Sequence, residues 1–168
     1  MSRRFPILIA VALLMAIAIP AAAKGPADKA TGSGYWETGS EVQYYAEFNA
    51  HQGLNGRPAK GYLLQERVDG TGGFTVDVTD VVVGERAGKK FACFGGLTEA
   101  WGVLSFGQGL FRWTIVVDGG EPGVGVDGIK GNFLAPGSEL PGPCRRGQAA
   151  RWDLTGGNIQ VHFGGPQA

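Results

Sequence analysis

The 168-residue chain balances 15 Lys and Arg against 15 Asp and Glu, and 30 of its residues are glycine. So neutral a balance gives no electrostatic reason to expect nucleic acid or an anionic membrane as partner, and glycines without a triplet period exclude collagen. The length suits one domain.

Residues 1–23 read as a cleaved signal peptide. Arg3 and Arg4 precede an unbroken apolar run over residues 7–19, Pro20 ends it, and Ala21, Ala22 and Ala23 are the small residues that a signal peptidase reads. The run holds 13 residues, short of the roughly 20 that cross a bilayer. The expectation is therefore a secreted or periplasmic protein with no transmembrane anchor once the peptide is removed after Ala23. Without Arg3 and Arg4 the mature chain carries 13 basic against 15 acidic residues, a net charge of −2. Residues 24–34 are expected to form a flexible lead, and residues 35–168 a single all-β domain.

Beyond that lead, apolar residues alternate at period two over short runs closed by glycine-rich turns. In VQYYAEFNA, Val42, Tyr44, Ala46, Phe48 and Ala50 share one face, while Gln43, Tyr45, Glu47 and Asn49 share the other. Residues 59–66 follow, then FTVDVTDVVV, in which Phe74, Val76 and Val78 alternate with Thr75, Asp77 and Thr79. Asp69-Gly70 and Gly72-Gly73 supply the positive φ of a hairpin between them. Runs over residues 90–94, 101–106, 110–118, 127–133 and 159–163 bring the total to about eight or nine strands. This pattern predicts an antiparallel β-sandwich or a small β-barrel. Residues 135–157, rich in Pro and Gly, predict an extended loop before the last strand.

Catalytic signatures are missing from the sequence. None of its serines stands in a G-x-S-x-G elbow, and His51 and His162 are 111 residues apart with no ligand spacing. A glycosidase-like pair of strand carboxylates, such as Glu47 and Asp77, would have to share one cleft about 5–10 Å apart. The expectation is a protein that is not an enzyme.

The stretch VVDGGEPGVGVDGIKG sets Asp118, Glu121 and Asp127 among glycines. Its PGVGVDGIK fits the calcium-binding β-roll nonapeptide at every fixed position but the first, with Asp127 as its acid, and a solitary calcium site would use Asp118, Glu121 and Asp127 together. β-Rolls hold each ion between tandem repeats, however, and this chain has one copy. The alternative is a turn in which Asp118 and Asp127 accept backbone N–H groups and hold the loop shut. No other cofactor is expected. Cys93 and Cys144 lack C-x-x-C spacing. They are either a disulfide, worth about 4 kcal/mol in the chain-entropy account, or two free thiols.

The order of these segments resembles an uncharacterised family of small, secreted, β-rich bacterial proteins. Its marks are a D-x-G-E-P-G loop, here Asp118 to Gly123, followed by an Asp that opens the next strand, here Asp127. VQYYAEFNA is similar to that family's aromatic F-x-F-x-A strand, Cys93 to its central cysteine, and GGNIQVH to its G-N-x-x-V-H terminal strand. The likeness spans about residues 34–163. It implies an all-β fold and export, and it assigns neither a substrate nor a catalytic residue.

Three functions remain to be weighed. One is a non-catalytic β-domain that binds or has a structural role at the cell envelope, with Tyr45 as an outward residue for a glycan. The second is a small barrel whose aromatics (Trp36, Trp101, Trp113, Trp152, Tyr35, Tyr44, Tyr62) enclose an apolar ligand. The third is a hydrolase of envelope polymers built on Glu47 and Asp77. The same aromatics could instead simply fill a glycine-rich core.

Overall fold

A computed structural model describes residues 27–54, 57–120, 127–149 and 151–164. The signal-peptide reading and Glu121 lie outside the described residues. The domain is all-β, one nine-stranded antiparallel sheet curled into a half-barrel. Its strands are β1 (Lys29–Glu37), β2 (Gln43–His51), β3 (Lys60–Arg67), β4 (Gly72–Arg86), β5 (Lys89–Gly102), β6 (Phe111–Asp118), β7 (Gly128–Leu134), β8 (Trp152–Asp153) and β9 (Gly156–His162). Strands β1 to β8 run as a meander in chain order, and β9 returns to pair with the outer edge of β1.

The period-two pattern of the sequence becomes the two faces of this sheet. Tyr44, Ala46, Phe48 and Ala50 of β2 turn inward, as their alternation requires, and join Leu63, Phe74, Val76, Val78, Phe94 and Val116 in the main core. Along β4 the register shifts between Val78 and Asp80, a bulge that lets Val78 and Val81 both face the interior. The phase change sends Val82 outward. There it packs on a second, smaller core of Phe91, Cys93, Ile115, Val117, Leu140 and Cys144.

That outer core explains residues 135–149. The segment folds back over the outer face of β5 and β6, and a single helical turn α1 (Gly142–Arg145) carries Cys144 to Cys93. The two cysteines form a disulfide with their Cα atoms 5.5 Å apart. Arg145 fastens the same turn, donating from Nη2 to Asp80 Oδ2 at 2.8 Å and from Nε to the Leu140 carbonyl at 3.0 Å.

Several strand limits differ from the sequence expectation. Lys29 to Gly34, expected in a flexible lead, belong to β1, which lies between β2 and β9. Its inward positions are Ala30, Gly32, Gly34 and Trp36, too small at three of four places to register as an apolar stripe. A Cβ on Gly34 would stand 2.6 Å from Leu154 Cδ1, so the smallness serves close packing. The runs at 90–94 and 101–106 are not two strands. The first is the start of β5, which continues to Gly102, and Ser105–Gly107 form a 3₁₀ turn. The stretch 135–157, expected as loop, contains α1, β8 and the start of β9.

The two ends of the sheet meet. β8 and β9 lie at opposite ends of the strand order but are joined by only Leu154 and Thr155. Asp127, 1% exposed, closes the gap: its Oδ2 accepts the Ile159 amide at 2.7 Å and its Oδ1 the Gly119 amide at 3.0 Å. Asp118 does the same one step along, taking the Val161 amide on Oδ2 at 2.9 Å and Gly120 on Oδ1 at 2.8 Å. These are the amides of β9 that point away from β1. Two carboxylates thus satisfy an edge that would otherwise be left open.

Candidate functional site

Inside the half-barrel the two ends are filled differently. Toward one end, Phe48, Val78, Val81, Phe94, Val116, Ile159 and Val161 are each no more than 4% exposed and pack together. Toward the other end, the inward positions of five strands are large and flat: Trp36 on β1, Tyr44 on β2, Phe74 on β4, Phe133 on β7 and Trp152 on β8. These rings do not meet in the middle. They line an open-sided cleft of about 200 Å³, with Leu104 and Phe106 of the 3₁₀ turn and its approach at the margin.

The walls hold one another in place. Trp36 and Tyr44 stack with centroids 5.6 Å apart, and Phe133 takes Phe74 and Phe106 edge-on at 5.2 and 5.5 Å. Such pairs add about 0.5–1.5 kcal/mol each beyond burial, enough to set ring orientation around a space they do not fill.

The polar lining consists of Thr38, Gln65, Asn132 and Arg112. Arg112 is the unusual member. It lies on β6 opposite Gly96 and Phe133, on the same inward face as Thr114 and Val116, and is 7% exposed. Its guanidinium sits against a pair of edge-on rings, 5.1 Å from the Phe74 centroid and 5.0 Å from that of Phe133, the two centroids being 5.2 Å from each other. Nη2 donates to Gln65 Oε1 at 3.1 Å, while the buried Nε has no partner. Gly131 leaves it room, since a Cβ there would come 2.7 Å from Nη2.

No carboxylate faces this cation among the described residues, whose ion pairs all belong to Arg67 or Arg145. Burial lowers Arg112 from the ordinary guanidinium range to about 9, with Tyr44 acting in the opposite sense. The group is still charged at neutral pH. A buried guanidinium is normally paired, because desolvating it costs several kcal/mol. Two ring faces and one amide oxygen offset only part of that cost.

The acids and aromatics singled out in the sequence lie elsewhere. Asp118 and Asp127 stand at the seam of the sheet, with both oxygens of each engaged by backbone N–H groups. Tyr45 is on the convex face, its ring 5.0 Å from Tyr35, and its hydroxyl donates to Glu47 at 3.4 Å. Tyr62 donates to the other oxygen of Glu47. Burial first, then the charge of Glu47, raises the Tyr45 hydroxyl; for Tyr62 the hydrogen bond to Glu47 is the main cause of the same shift.

Asp77 lies opposite Tyr62 on β3 and Leu97 on β5, also on the outer face. The sheet brings His51 and His162 onto one row, but Lys29 stands between them in register with both. Among the described residues no three His, Cys, Asp or Glu side chains converge on one point, and no helix is long and apolar enough to cross a membrane.

Arg112 was not among the residues that the sequence marked. Its signal, one cation in LFRWTIVVD, is present, but β6 is buried on both faces. Alternation therefore could not say which face the arginine shared. Of the aromatics that one reading placed inside a barrel, Trp36, Tyr44 and Trp152 line the interior, whereas Tyr35, Tyr62 and Trp101 are 46%, 43% and 41% exposed and Trp113 packs on the outer core.

Comparisons with family models, with curated proteins and with solved structures give no match to this chain.

Proposed function

We propose that this protein is a non-catalytic carrier or receptor, exported from the cytoplasm, that holds one small, mainly apolar molecule inside its half-barrel. The observation that carries the reading is the unfilled space of about 200 Å³ walled by Trp36, Tyr44, Phe74, Phe133 and Trp152. Protein interiors ordinarily close such gaps, because every unfilled contact is lost dispersion energy. Here the other end of the interior is filled by Phe48, Phe94, Ile159 and Val161, each no more than 3% exposed, whereas the aromatic end leaves a cleft.

The volume limits the cargo. It is below the roughly 300–1,000 Å³ of drug-sized sites and somewhat above the ~150 Å³ cavity that takes up benzene. A single ring with a short substituent fits. The Cys93–Cys144 disulfide and the signal-like residues 1–23 both support an oxidising location outside the cytoplasm.

Native mass spectrometry of protein purified from its own envelope fraction tests this reading. An excess of one small molecule over the denatured mass is expected, reduced by Trp36→Ala or Phe133→Ala and unchanged by Tyr62→Ala on the convex face. A bare native mass, together with tryptophan emission that no small aromatic or aliphatic compound alters, would overturn the proposal.

A further inference from the structure

The carrier reading leaves the chemistry of the cargo open, and Arg112 narrows it. We propose that the cavity is a receptor for a monocarboxylate on a small, flat, apolar body, with the Arg112 guanidinium as its anchor. The inference rests on the carrier reading and adds the ligand's charge and class.

Three observations converge. First, the cation is 7% exposed, lines the cavity and has one hydrogen bond, to Gln65, with no acid beside it among the described residues. A buried cation in that state is a half-completed ion pair, because desolvation is spent and the Coulombic return is missing. Second, its surroundings are shaped for it. Phe74 and Phe133, edge-on to each other, both approach the guanidinium, at 5.1 and 5.0 Å, and Gly131 has no Cβ to strike the Trp113 carbonyl oxygen or, at 2.7 Å, Nη2. Third, the rest of the lining is aromatic and amide, with Gln65 and Asn132 as the polar companions.

The choice of a carboxylate follows from charge and shape. Arg112 is the sole cation lining the cavity among the described residues, so one negative charge balances the site. A phosphate dianion would leave a second charge in a poorly solvated space. Guanidinium and carboxylate are both planar and match as two parallel hydrogen bonds. With room for about one ring, the body is an aromatic acid or one of similar size rather than a long-chain fatty acid.

The test compares acids with their neutral analogues. Benzoate and phenylacetate would be titrated against benzamide and phenylacetamide at neutral pH, with the emission of Trp36 and Trp152 as readout and calorimetry as a check. Losing one partner of a buried charge pair costs about 2–5 kcal/mol, so each acid should bind at least about thirty-fold more tightly than its amide. Arg112→Gln should erase that preference, the acids losing at least about tenfold more affinity than the amides.

Equal binding of acids and amides to the unaltered protein would overturn the carboxylate assignment and leave the carrier reading standing. That comparison needs no variant to fold. Absence of binding by all four compounds, with no small molecule in the native mass spectrum, would overturn both.

Discussion

Replacing Asp127 with alanine tests how the sheet closes. The carboxylate is 1% exposed and accepts two backbone amides, Ile159 at 2.7 Å and Gly119 at 3.0 Å. Alanine would leave both donors without a partner in a place that water reaches poorly. Each stranded buried donor costs about 1–3 kcal/mol, so the expected loss is about 3–5 kcal/mol once some relaxation is allowed. At about 2–4 °C per kcal/mol for a domain of this size, the melting temperature should fall by roughly 10 °C. Asp127→Asn keeps one acceptor but turns an NH₂ toward an amide N–H, and should fall between the two. Urea unfolding with and without calcium, the latter in chelator, is the assay. A loss below about 1 kcal/mol in chelator would refute the closure argument. If instead calcium stabilises the unaltered protein and the alanine variant has lost that gain, the acids of this loop serve an ion.

Two further outcomes follow from the same structure. Replacing Cys93 and Cys144 by alanine opens a bond spanning 51 residues and should cost about 4 kcal/mol. Binding in the cavity should be unaffected, since the disulfide lies on the outer face; a loss of binding at temperatures where the variant is folded would refute that separation. Arg112→Met, which removes the unpaired charge at similar volume, should stabilise the ligand-free protein by about 1–3 kcal/mol in urea at pH 7. A base with a lowered folded pKa costs stability while charged, so this gain should shrink as pH rises through about 9. A net destabilisation would mean that Gln65 and the two rings satisfy the cation without a ligand.

The fold was readable where alternation is clean. Tyr44, Ala46, Phe48 and Ala50 were assigned to one face because polar residues separate them, and Phe74, Val76 and Val78 likewise. β1 was missed because its inward residues are Ala30, Gly32 and Gly34, which carry almost no hydrophobic signal although their smallness is what the packing needs. The continuity of β5 was hidden by Gly95 and Gly96. In sequence they look like a turn, yet both lie in register with β6.

The site was legible only in part. Trp36, Tyr44 and Trp152 could be named, and the closure by Asp118 and Asp127 was one of the two readings of their loop. Arg112 could not be found, because β6 carries the main core on one side and the disulfide core on the other. A cation in a strand buried on both sides then has no face from sequence alone.

The arrangement separates the sources of stability from the place of binding. The outer core under α1, the Cys93–Cys144 bond and the Asp118 and Asp127 closure lie along the outer face and the seam. The packed half of the interior holds Phe48, Phe94, Ile159 and Val161. None of these depends on the aromatic end being full. An unpaired buried guanidinium is a cost of several kcal/mol. A domain whose total stability is about 5–15 kcal/mol retains such a cost only if it is met elsewhere in the fold or by a ligand. The seam and the disulfide hold the protein folded while it is empty, and a carboxylate on Arg112 would then convert the cost of the buried charge into affinity. Stability should therefore rise on loading by more in the unaltered protein than in Arg112→Met, which has no charge left to neutralise.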